Sequence, residues 1–259
     1  MLDIHGIQAF DDNYIWCLHE AGGRVATVVD PGDEEPVLAY LDAQGMALGA
    51  ILVTHKHGDH TGGIHALKAV YPEAVVYGPA NEPIPLRDKA LVDGDEILPE
   101  GLGTRFTVMD VPGHTEGHIA YYADGMLFCG DTLFAGGCGR VFTGTHAQLH
   151  HSLRRIACLP EDTRVFCAHE YTEANLGFAR WVEAENPALV RRIEVVDELR
   201  RQDQPTVPSL LGEELATNPF LRTAEPAVVN AASTWAGRAL LTSEEVFTAV
   251  RTWKDKDYD

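Results

Sequence analysis

The chain has 259 residues, 45% of them hydrophobic and 23% charged, with a formal net charge of −19. That is a globular composition with room for one large domain or two smaller ones. So acidic a surface repels phosphate backbones and anionic lipid, which argues against nucleic-acid and membrane partners. No apolar run reaches the roughly 18 residues that cross a bilayer.

The five cysteines, Cys17, Cys129, Cys138, Cys158 and Cys167, form no CxxC pair. The N-terminus MLDIHGIQAF lacks the basic and apolar regions of a secretory signal. Together these features point to a reducing, cytoplasmic setting.

Arg24 to Asp30 (RVATVVD) reads as a strand ended by Pro31-Gly32. Glu34 to Gln44 has helical spacing, with Pro36 in the first turn and Gly45 as its stop. Ala50 to Val53 (AILV) is a short apolar strand, and Ile64 to Tyr71 a helix closed by Pro72. Thr104 to Val111 is a strand that stops at Pro112-Gly113. Ile119 to Ala123 and Met126 to Cys129 flank Asp124-Gly125, a hairpin signal. Thr145 caps an amphipathic helix beginning at His146, and Arg164 to Cys167 (RVFC) is another strand. Beyond about residue 172 only helical patterns remain, with Gln204 to Pro208 as a loop. This predicts an α/β domain over 1–172 and a smaller all-helical domain over 173–259.

The stretch THKHGDH, residues 54 to 60, follows AILV directly. It gathers His55, His57, Asp59 and His60 within six positions. His114, Asp131 and His169 each follow a further strand. If those strands share one sheet, the side chains converge along one edge, where open α/β sheets carry their sites. Imidazole and carboxylate suit Zn, Fe and Mn, with no need for thiolate. Five His and two Asp are too many for one four-coordinate ion and suffice for two if one carboxylate bridges. His118 is either a support for a ligand loop or a packed core ring. His5, His19, His65, His146, His150 and His151 read as surface or helix-face residues.

T-H-x-H-x-D-H, followed by P-G-H-T, G-D-T-L-F and H-E-Y-T, resembles the metallo-β-lactamase superfamily, and within it the glyoxalase II family. The likeness extends to GDTLFAGGCGR at 130–140, NPFLR at 218–222 and RTWKD at 251–255. It implies a four-layer αβ/βα sandwich followed by the helical domain. By the same resemblance, His55, His57 and His114 would hold one divalent metal. Asp59, His60 and His169 would hold the other, with Asp131 bridging. Zn is the expected metal, with Fe and Mn as alternatives.

The resemblance further assigns Arg140, Phe142, Tyr171, Arg251 and Lys254 to glutathione binding. Arg140 and Phe142 stand where many members have Lys and Tyr, and Ala168 where many have Gly. The implied reaction is hydrolysis of S-2-hydroxyacylglutathione thioesters, S-D-lactoylglutathione among them, the second step of methylglyoxal detoxification. A metal-bound hydroxide oriented by Asp59 and Asp131 would attack the carbonyl. The thiolate leaving group, with a thiol pKa of about 8.5, needs no dedicated general acid. Two divalent ions against two carboxylates and a hydroxide leave about +1 at the centre, and Arg140, Arg251 and Lys254 add positive charge where an anionic substrate would sit. A monomer is expected.

Two other readings are weighed. A glutathione persulfide dioxygenase would use a single Fe held by two His and one Asp, which leaves His60 and His169 without purpose. A non-catalytic metal-binding module would close its site with four protein ligands instead of leaving positions open.

Overall fold

The first two strands, which the sequence patterns above did not bring out, form a long hairpin. β1 (Leu2–Ala9) and β2 (Asn13–Glu20) pair antiparallel from Leu2↔Glu20 to Ala9↔Asn13. The structure, a computed structural model, describes residues 2–258. It divides into two units, one built from residues up to 110 together with 117–130, the other from 111–116 together with 131 onward.

In the first unit, β3 (Val25–Val29) runs antiparallel to β2. β4 (Ala47–Leu52), β5 (Val75–Pro79) and β6 (Lys89–Leu91) then add in parallel, in the order β1-β2-β3-β4-β5-β6. Between β3 and β4 lies α1 (Glu34–Gln44), whose N-cap Asp33 accepts the Glu35 amide at 2.9 Å. Two short helices, α2 (Gly58–Thr61) and α3 (Ile64–Val70), follow β4. Val37 and Leu41 of α1 and Ile64 and Leu67 of α3 pack with Val28, Ile51 and Val76 of the sheet, all fully buried. Each such side chain contributes on the order of 1.5–3 kcal/mol by leaving water.

A second, antiparallel set in this unit runs β7 (Glu96–Ile97), β8 (Phe106–Asp110), β9 (Ile119–Ala123) and β10 (Met126–Gly130), each paired with the next. The β9–β10 turn is the predicted Asp124-Gly125, with φ of 46° and 74°. Positive φ at both central residues gives the turn twist that matches paired strands, and Gly takes it without strain. The condition of a single shared sheet is not met: β4 belongs to one sheet and β8 and β10 to another.

The second unit holds the small pair β11 (Leu133–Phe134) and β12 (Gly137–Cys138), then α4 (His146–Ile156). Thr145 caps α4 by accepting the Gln148 amide at 3.1 Å. β13 (Arg164–Cys167) pairs antiparallel with β14 (Ser209–Leu210). β14 corrects the expectation of no strand beyond 172. At two residues it is too short to show any periodicity. The remainder is helical: α5 (Thr172–Val182), α6 (Pro187–Arg201), α7 (Leu211–Thr217), α8 (Pro226–Ala236) and α9 (Ser243–Trp253), ending in a π-helical turn over Lys254–Tyr258.

The fully buried Glu214 of α7 organises this unit. It pairs with Arg192 and accepts from the Gly136 amide at 2.8 Å and from Asn218 Nδ2 at 3.1 Å. Removing one partner of such a buried pair is costly, because the other charge is left uncompensated. Among the described residues, no helix is long and apolar enough to cross a membrane.

Candidate metal centre

In the first unit, β3 and β4 end side by side, and Asp30 and Thr54 lie just past them. Thr54 donates to Asp30 twice, from its amide to Oδ1 and from its hydroxyl to Oδ2, both at 2.7 Å. His60 Nδ1 lies 3.1 Å from the same Oδ2. The single hydroxyl proton of Thr54 is thus committed, so its oxygen accepts from His55 Nδ1 at 3.1 Å. The His55 ring therefore turns an unprotonated Nε2 away from Thr54. His55 Nε2 faces His57 Nδ1 at 3.0 Å, and His60 Nε2 faces Asp59 Oδ2 at 3.3 Å. His55 is also stacked on His118, with ring centroids 4.6 Å apart. His118 is itself buried and backs a candidate ligand ring.

In the second unit, His114 donates Nδ1–H to the main-chain carbonyl of Arg140 at 2.8 Å, which frees its Nε2 as an acceptor. That nitrogen lies 3.5 Å from Asp131 Oδ2. His169 Nε2 lies 3.4 Å from the other oxygen, Asp131 Oδ1. One carboxylate thus addresses two imidazoles with two different oxygens. The glutathione-site candidates also lie in this unit. Phe142 is exposed and sets its ring edge-on to His114, with centroids 5.2 Å apart. Tyr171 stacks on His169 at 4.6 Å. Lys254 sits over the Tyr258 ring at 5.7 Å. Arg251 is only 1% exposed, and donates to the Cys138 carbonyl at 3.0 Å and to Asp255 Oδ1 at 2.9 Å. Arg140 Nε approaches that same oxygen at 3.7 Å.

These contacts test whether the donors suit a cation. The imidazole–carboxylate separations of 3.3–3.5 Å are longer than most hydrogen bonds. They match the spacing of about 3.3 Å between neighbouring ligands when each lies about 2.0–2.1 Å from a tetrahedral metal. The outer nitrogens of His55 and His114 are fixed by oxygen acceptors, which is how metal-ligating histidines are oriented. The donor set fits a divalent metal in both units. Sequence reasoning missed Asp30, because an aspartate before Pro-Gly reads as a strand end. Only the fold shows that Thr54 and His60 close on it.

Comparison with known proteins agrees. Residues 14–169 match the model of the metallo-beta-lactamase superfamily, and residues 170–257 that of the hydroxyacylglutathione hydrolase C-terminus. The chain belongs to the hydroxyacylglutathione hydrolase family.

The hydroxyacylglutathione hydrolase of Pseudomonas entomophila is 53% identical, covering 98% of this chain and 99% of that protein. One from Pseudomonas aeruginosa is 54% identical over 99% of this chain and 100% of its own length. Among solved structures, ETHE1 from Myxococcus xanthus matches with a TM-score of 0.59 and 26% identity over 86% of this chain and 98% of that one. TTHA1623, solved in a di-iron-bound form, matches with a TM-score of 0.54 and 29% identity over 64% of this chain and 91% of that one. The glyoxalase II resemblance and the metallo-β-lactamase fold with a helical C-terminal region are thereby established, as is membership of a hydrolase family.

Proposed function

We propose that the chain hydrolyses S-2-hydroxyacylglutathione thioesters, S-D-lactoylglutathione among them, at a pair of divalent metal ions. The observation that carries this reading is Asp131, whose two oxygens face His114 and His169 separately. His55, His57 and His114 would hold one ion and Asp59, His60 and His169 the other, with Asp131 shared. Zn is the expected metal, with Fe or Mn as alternatives, and the di-iron form of TTHA1623 shows that a relative of this fold holds two irons. When bound, such a pair supplies a water acidic enough to attack at neutral pH and a positive centre for the developing oxyanion.

The protein's own part is to hold geometry and charge. Asp59 and Asp131 would ligate the cations and so set where the nucleophile sits. Asp30 orients the outer nitrogen of His55 through Thr54 and lies 3.1 Å from that of His60. The leaving thiolate departs without a proton donor. Arg140, Arg251 and Lys254 place positive charge where the glutathione carboxylates would bind, and Tyr171 and Phe142 line the approach. We assign the catalytic part to residues 1–172 and glutathione binding chiefly to 173–259. We further propose a cytoplasmic monomer that meets no nucleic acid or membrane. The four buried thiols and the exposed Cys158, all unbridged, suit a reducing compartment.

Replacing Asp131 by Asn tests the assignment. The amide keeps the volume and offers one oxygen instead of two. The expected result is a fall from two bound metals per chain to one or fewer, with kcat/KM down by at least about 100-fold. Unchanged stoichiometry would remove Asp131 from the bridging role.

A further inference from the structure

Two buried polar side chains outside the ligand set each grip one segment of the THKHGDH stretch. Glu82, in the loop after β5, is 5% exposed, and both its oxygens are used. Oε2 accepts the Lys56 amide at 2.7 Å and Oε1 accepts the Gly117 amide at 3.1 Å. Lys56 lies between His55 and His57, so the peptide whose N–H is held sets the direction of both rings. Gly117 precedes His118, the ring stacked on His55. A Cβ at Gly117 would come within 2.6 Å of Glu82 Cγ, so only glycine lets the carboxylate reach that amide. Burying a carboxylate is costly unless strong bonds offset it. Here one goes to backbone between two candidate ligands and the other to the residue before the ring that backs His55.

Asn13, the first residue of β2, is 7% exposed. Its Nδ2 donates to Asp59 Oδ2 at 3.1 Å and lies 3.4 Å from the Asp59 carbonyl. The same Oδ2 is the atom 3.3 Å from His60 Nε2. The amide occupies one lone pair and fixes the carboxylate torsion, which leaves Asp59 a defined direction for a cation.

We propose that Glu82 and Asn13 are positioning residues for different members of the metal pair. Glu82 acts on the cation held by His55 and His57, and Asn13 on the cation held by Asp59 and His60. The inference rests on the two-metal reading above. Such outer contacts typically change metal affinity by about 10–100-fold.

The test is a zinc titration of the full chain against a chromophoric chelator, giving two stepwise dissociation constants, with 113Cd NMR of the cadmium-loaded protein to tell the sites apart. Wild type is expected to bind two cations and show two cadmium resonances. Glu82→Gln keeps the volume but turns an NH2 group toward one of the two amides. It should weaken one step about 10–100-fold and perturb one resonance. Asn13→Leu, which keeps the volume and removes the donor without adding charge, should weaken the other step and perturb the other resonance. Gly117→Ala, which pushes Glu82 away without altering its charge, should reproduce Glu82→Gln and serves if that variant does not fold. Wild-type constants in folded variants, whatever their melting temperatures, would overturn the proposal and leave both side chains as loop staples. So would both variants perturbing the same resonance. Fewer than two cations in the wild type would overturn the two-metal reading itself, and this inference with it.

Discussion

His114 is held through its Nδ1 by the backbone carbonyl of Arg140, 2.8 Å away, and not by the Arg140 side chain. The loop therefore separates two jobs at one position. The main chain orients a candidate metal ligand, while the guanidinium, about half exposed, lies 3.7 Å from Asp255 and is the group proposed to meet substrate charge. Arg140→Ala should leave metal content unchanged and raise KM for a glutathione thioester by roughly 3–10-fold, the range of a solvent-screened charge contact. Atomic emission and steady-state kinetics on one preparation check both halves. A loss of metal would show that the side chain also holds the loop.

Asp255 gives a second kinetic prediction. Its Oδ1 lies 2.9 Å from Arg251 and 3.7 Å from Arg140, so a carboxylate of the chain already sits beside two of the three cations assigned to the substrate. Asp255→Asn removes that negative charge and keeps the shape. KM for the anionic thioester should fall by about 2–5-fold, with kcat little changed, because the contact lies away from the reacting carbon. A rise in KM would mean that Asp255 chiefly orients Arg251.

Much of the candidate site is legible in the sequence because most of its candidate ligands are local. Three histidines and an aspartate fall in one loop, and the remaining candidates each follow an apolar run that does form a strand. The turn at Asp124-Gly125 and the caps Asp33 and Thr145 are equally local. What the sequence hides is whatever depends on pairing at a distance. Asp30 meets Thr54 across 24 residues, Asn13 meets Asp59 across 46, and Glu82 meets Gly117 across 35. None of these three sits in a motif. The separation of the ligand-bearing strands into two sheets is hidden for the same reason. Strand pairing is a property of the whole sheet.

Acid sensitivity follows from Glu183. Burial pushes its carboxyl up, but the forked bond from Arg222, at 2.8 and 2.9 Å, and one from Asn186 outweigh this and leave it below the ordinary glutamate value of 4.5. A carboxylate whose folded pKa is depressed stabilises fully above its unfolded value, and that stability is lost as pH falls through the folded one. Glu183→Gln should therefore cost about 1–2 kcal/mol at neutral pH, a drop of about 2–4 °C in melting temperature per kcal/mol. The gap between wild type and variant should narrow as pH falls below 4.5 and close as it passes through the depressed folded value. Thermal melts from pH 7 to pH 3 check it, and a gap independent of pH would refute the electrostatic origin.

The thiols should behave unequally. Burial raises Cys17 and Cys167 to about 12 and Cys138 to about 11, while Cys158 is exposed. Since the thiolate is the reactive species, a disulfide reagent at pH 8 should label Cys158 rapidly in the folded protein. The other four should react only after denaturation. Fast labelling of more than one thiol per native chain would contradict the packing around them.

The most direct test of the central claim is hydrolysis of S-D-lactoylglutathione by the purified chain, followed by loss of thioester absorbance, as prepared, after exhaustive chelation, and after zinc or manganese is restored. Rapid turnover is expected, abolished by chelation and restored by metal, rising to full activity as the second equivalent per chain is added. No turnover by a chain shown to hold two metals would contradict the claim.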